Sequence, residues 1–82
     1  MTLNDAIATL TEQIKEASPE AVLRVQRRND EEATIRVYAP ADHEAGIKAA
    51  TQELTLSLLT NDNLDVQVLV YDIATSLPPA EA

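Results

Sequence analysis

From Leu64 to Asp72 the chain alternates without a break, with Leu64, Val66, Val68 and Val70 on one parity and Asp65, Gln67, Leu69 and Tyr71 on the other. A period of two is what a strand requires when one side is packed and the other is not. Two earlier segments, Ala21–Arg28 and Ala33–Ala39, share the period. Their polar parity holds Arg24, Gln26 and Arg28 on the first and Thr34, Arg36 and Tyr38 on the second. Successive side chains of a strand point to opposite faces, so these groups, with Gln67, Leu69 and Tyr71, belong to one sheet face. The other parity is aliphatic and forms the core side. A slip of one residue would bury the arginines, so the pattern fixes which face is which. The outward face collects both tyrosines and three of the four arginines of the chain.

Two segments follow the helical period instead. Leu3, Ile7, Leu10 and Ile14 repeat at spacings of four, three and four and predict a helix over Leu3–Ala17. Thr2 is placed to cap it, with Asp5 three residues on, and Ser18-Pro19 ends it because proline disfavours helical dihedrals in the residue before it. A second helix is predicted over Asp42–Thr60, with Asp42 as N-cap and Ile47, Ala50, Leu54 and Leu58 as its buried stripe. Leu56 points away from that stripe, and Asn61-Asp62-Asn63 is the stop signal. Gly46, the only glycine, costs about 1 kcal/mol against alanine inside a helix, so either the helix packs closely there or its first turn is loose.

The order is therefore α-β-β-α-β, an α+β two-layer sandwich. Asn29-Asp30-Glu31-Glu32 is a polar turn joining the first two strands as an antiparallel hairpin. A register with Arg24 opposite Tyr38 and Gln26 opposite Arg36 is preferred, because a shift of two opposes Arg24 and Arg36 as like charges. The expectation for the sheet is three strands, mainly antiparallel, in spatial order 2-1-3, with both helices on the aliphatic face and the other face open. Strands two and three are then the edges, and the Val-rich third strand is poorly guarded against pairing with another chain. Residues 1–73 are expected to form one domain and 74–82 a disordered tail.

Composition closes several routes to function. The chain has no cysteine, so thiol nucleophiles, disulfides and zinc-thiolate sites are excluded. A net charge of −8 argues against bulk binding to nucleic acid or to anionic membrane. Four of the six basic residues, however, lie between Arg24 and Arg36. The first hydrophobic segment is broken by Asn4, Asp5, Glu12 and Lys15 and is neither a signal-peptide core nor a membrane span, which makes the cytoplasm the default compartment and leaves no membrane partner. No glycine-rich phosphate loop is present. His43 between Asp42 and Glu44 has no useful ligand spacing, since neighbouring helical residues point in different directions, so no metal is expected. Asp30, Glu31 and Glu32 are a solvated turn beside Arg27 and Arg28, able to pair with them. Nothing in the sequence brings Ser57, His43 and an aspartate together, so no catalytic residue and no cofactor is assigned and the chain is expected not to be an enzyme.

What remains is the outward face: Arg24, Gln26, Arg28, Arg36, Tyr38, Gln67, Leu69 and Tyr71. As an ordinary solvated face it needs no function, because strands favour tyrosine and threonine and arginine stems cover sheets. As a contact surface, its tyrosines and arginines are the residues that interfaces favour, and Leu69 suits packing against protein. The expectation is a small protein-interaction module, self-associating as a homodimer through the open face or a strand edge. The alternative is binding of single-stranded RNA or an anionic ligand by the same arginines and tyrosines.

The element order, with Ser18-Pro19-Glu20-Ala21-Val22 leading into the first strand, resembles the cytoplasmic C-terminal domain of cation diffusion facilitator transporters over about residues 3–72. That resemblance implies a dimer with His and Asp metal ligands. His43 is the only histidine and precedes the second helix, so neither a metal site nor a transport role is carried over.

Overall fold

A computed structural model describes residues 1–75. It contains α1 (Leu3–Ala17), β1 (Val22–Arg27), β2 (Glu32–Ala39), a 3-10 turn (Ala41–His43), α2 (Glu44–Asn61) and β3 (Asp65–Asp72). The order α-β-β-α-β and the α+β class are as the periodicities require. The expected tail begins as a turn in which Ala74 N–H donates to the Asp72 carboxylate and Thr75 N–H to the Asp72 carbonyl, and residues 76–82 lie outside the described residues.

Helix α1 starts where Thr2 Oγ1 accepts from Asp5 N–H at 3.2 Å, which satisfies one of the amides that a first turn leaves open. Its buried side is Leu3, Ala6, Ile7, Leu10 and Ile14. Ser18 closes it, donating its N–H to the Ile14 carbonyl at 2.8 Å and accepting from Ala21 N–H at 3.0 Å, so the chain turns directly into β1.

Helix α2 departs from expectation at its start. Asp42 is exposed and caps nothing; it sits inside the 3-10 turn, where His43 N–H donates to the Pro40 carbonyl at 2.9 Å. Proline presets its own dihedral, so the turn begins there and the α-helix only at Glu44. The buried stripe is Ile47, Thr51 and Leu58, with Leu54 half-buried and Ala50 exposed. Thr51 takes the place expected for Ala50 because its hydroxyl donates to the Ile47 carbonyl at 2.9 Å and so needs no water. A methyl group at Gly46 would meet nothing within 4 Å, which rules out close packing there. Asn63, at φ 55°, provides the left-handed residue that turns the chain out of the helix.

The sheet corrects the expected topology. Its strand order is 1-2-3, with β2 in the centre, antiparallel to β1 and parallel to β3. The edges are therefore β1 and β3. The physical reason lies in the inward residues. On β2 these are Ala33, Ile35, Val37 and Ala39, all buried, whereas the inward parity of β1 ends in the exposed Arg27. A strand with an inward arginine belongs at an edge, and a strand that is apolar along its whole inner side belongs in the middle.

The hairpin register is corrected too, because Arg24 does lie opposite Arg36. The turn decides this. Asn29 Oδ1 accepts from the N–H groups of Glu31 and Glu32 at 2.7 and 2.9 Å, and Arg28 N–H donates to the Glu32 carbonyl at 2.9 Å. This Asx turn closes the loop on Arg28 and Glu32, two positions tighter in register than the preferred pairing. Arg24 and Arg36 fall at a hydrogen-bonded pair, where Cα atoms are about 5.5 Å apart rather than 4.5 Å, so the two long side chains have room to diverge.

The core lies between the helices and the inner side of the sheet. Leu10, Ile14, Ile35, Val37, Ile47 and Leu58 are its largest fully buried members. Helix α2 lies over β3, and α1 packs on α2 and reaches the sheet over β2. Val25, inward on β1, stays 43% exposed, so the helical layer does not fully roof that edge.

Candidate interaction surface

The opposite side of the sheet is ordered in rows. Pairing across the three strands aligns Val22, Tyr38 and Tyr71; then Arg24, Arg36 and Leu69; then Gln26, Thr34 and Gln67. Seven of the eight residues named from parity therefore stand side by side. Arg28 lies just beyond β1, where the hairpin closes on Glu32. Val22 and Thr34 complete two rows; Thr34 shares the outward parity of Arg36 and Tyr38, and Val22 shares that of Arg24, but carries neither the charge nor the ring that draws notice.

Parallel, in-register pairing sets Tyr38 directly beside Tyr71. Their rings stack with centroids 5.3 Å apart and planes inclined by 22°. Tyr38 is only 6% exposed, so it is a fixed support for Tyr71 rather than an open contact residue. Leu69, 39% exposed, is the large apolar side chain that this face presents to its surroundings. Arg24, Arg36 and Tyr71 are half-buried, and Gln26, Arg28 and Gln67 are exposed. Arg24 also donates from Nη1 to the Leu23 carbonyl at 3.2 Å.

The charge pairing expected at the hairpin tip is not formed. Among the described residues, Arg27, Arg28 and Arg36 make no ion pair, and the Glu32 carboxylate accepts instead from the Asn29 side-chain amide at 2.9 Å. The turn thus uses its polar atoms to hold its own shape and leaves the positive charge of Arg28 beside the face.

Elsewhere, Ser18 Oγ and His43 Nδ1 lie 2.7 Å apart, with Ser18 fully buried, a link between the end of α1 and the turn before α2 that the sequence did not announce. Among the described residues no group of three or more His, Cys, Asp or Glu could hold a metal ion, and no helix is long and apolar enough to cross a membrane. A shallow groove runs between α2 and the inner side of β3 at its free edge, lined by Lys48, Thr51, Gln52, Thr55 and Val68.

Compared with known proteins, the chain matches no family model, no curated protein and no solved structure.

Proposed function

We propose that this chain is a small, non-enzymatic protein-interaction module that self-associates through its sheet, by the uncovered face or by a free strand edge. The observation that supports this most is the position of Leu69: an exposed leucine in the middle row of an unroofed sheet, beside a tyrosine braced by a second ring. Aromatic and arginine side chains around an apolar centre are the composition of an interface core and its rim. Sedimentation velocity at micromolar concentration tests it. The wild type runs as a dimer and the Leu69→Ala, Tyr71→Ala double variant shifts to monomer. A wild type that is monomeric and retains no partner protein overturns the reading.

A second reading has its own observation. Arg24 and Arg36 stand opposite one another in the row next to the stacked tyrosines, an arrangement suited to an anionic ligand or to single-stranded RNA. Titration with mixed oligonucleotides at low salt, followed by amide chemical shifts, gives changes along these rows if it is right and none if it is wrong.

A further inference from the structure

We infer that a second copy of this chain pairs antiparallel along the free edge of β3, joining two three-stranded sheets into one of six strands. This rests on the reading of the chain as a self-associating module and names where the two copies meet.

The argument starts with the direction of backbone groups. Asp65 N–H donates to the Glu31 carbonyl at 2.8 Å and Ile73 N–H to the Ala39 carbonyl at 2.9 Å, both toward the β2 side. Backbone groups alternate sides along a strand, so the N–H and C=O of Val66, Val68 and Val70 point to the open edge. An edge of this kind is a template for another strand unless something guards it. The edge strand β1 is guarded: it is 6 residues long and carries Arg24 and Arg27. The 8 residues of β3 include no Lys, Arg or Pro, and the only charges are Asp65 and Asp72 at its two ends.

Self-pairing is compatible with those charges. A two-fold pairing that keeps the inner and outer faces continuous opposes residues of the same parity. Asp65 and Asp72 differ in parity, so no such register sets the one against the other. The registers that overlap the whole strand centre on Val68 or Leu69 and oppose each aspartate to an uncharged residue. The side wall above the edge fits as well. Lys48, Gln52, Thr55 and Leu59 are spaced to form one flank of α2, three of them line the groove over Val68, and Leu59 is 51% exposed. In the paired form this flank meets its symmetry mate, and the exposed leucines find apolar neighbours.

Size favours the edge over the face as the self-contact. Between Cα atoms the uncovered face of one copy measures only about 23 Å by 10 Å, a small flat footprint for the roughly 800 Å² of accessible surface per partner that specific interfaces bury. Edge pairing adds backbone hydrogen bonds and the helix flank. It also doubles the width of the face and sets the two Leu69–Tyr71 strips side by side across the seam, so the Leu69→Ala, Tyr71→Ala variant weakens this contact as well.

The test is backbone amide exchange by NMR across a concentration series, run beside sedimentation velocity. In the paired form the amides of Val66, Val68 and Val70 slow by about tenfold or more as dimer accumulates, while those of Gln67 and Leu69, held by β2 in either state, change little. Val68→Pro removes an edge donor without removing a bond to β2 and yields a monomer with unchanged circular dichroism. Should that variant not fold, Leu59→Lys, on the exposed helix flank, weakens the dimer at constant fold. A dimer whose Val68 and Val70 amides exchange at one rate at every concentration overturns the edge pairing and leaves self-association standing. A monomer at all concentrations overturns both, and edge protection that comes only with an added extended peptide replaces the second copy by a different partner.

Discussion

Ser18 and His43 show how much of this small fold hangs on single side chains. The buried hydroxyl at the end of α1 meets an imidazole nitrogen in the turn before α2, and it is a direct side-chain link between these two junctions. Removing either partner leaves the other with an unmet polar atom in a shielded place. Ser18→Ala and His43→Ala are each expected to cost about 1–2 kcal/mol in urea unfolding. Because the two act on one bond, the double variant should cost less than the sum. Gly46 is the opposite case. It lies exposed in α2 with open space where a methyl group would go, so Gly46→Ala is expected to raise stability by about 0.5–1 kcal/mol in the same measurement. The two positions differ in what a sequence discloses. Glycine in a helix announces its cost, whereas a serine and a histidine 25 residues apart give no sign that they touch.

At the scale of elements, the hairpin turn holds the decisive residue. Asn29 Oδ1 accepts two backbone N–H groups, and its amide donates to Glu32, so Asn29→Ala removes all three bonds. The expected loss is about 1 kcal/mol or more in chemical unfolding, with amide protection falling first at Glu31 and Glu32. The same residue explains what could be read beforehand and what could not. Parity depends only on the period of two, so the residues of the outer face were legible, as was Arg27 lying off it. Register depends on where the loop closes, and the Asx turn at Asn29 outweighs the repulsion between Arg24 and Arg36, which no alternation of residues along the strands discloses. Strand order was legible in principle: Arg27 on the inner parity of β1 marks an edge, and the clean inner side of β2 marks a centre. In α2, a buried threonine was hidden by its hydroxyl, since nothing in a one-residue view shows that Ile47 offers it a carbonyl.

For the molecule as a whole, charge separates the two functional readings. Each copy carries −8, so two copies repel at long range. Salt shortens that repulsion to roughly a 10 Å Debye length at 0.1 M, and the proposed contact is made of backbone bonds and leucines that salt does not weaken. Self-association is therefore expected to tighten between 20 and about 300 mM salt in sedimentation, whereas binding of a polyanion through Arg24 and Arg36 would loosen over the same range. A dimer that dissociates with salt counts against the contact described. The strand order has a further consequence for how the protein is made. β2, the central strand, has its neighbours on either side of it in the chain: β1 precedes it by one short turn, while β3 follows only after α2. As the chain leaves the ribosome the hairpin can close early, but the most deeply buried strand then waits with one side unpaired until β3 emerges. Slow synthesis across α2 lengthens that wait, termination before Asp65 makes it permanent, and the misfolding hazard of this chain is concentrated in that interval.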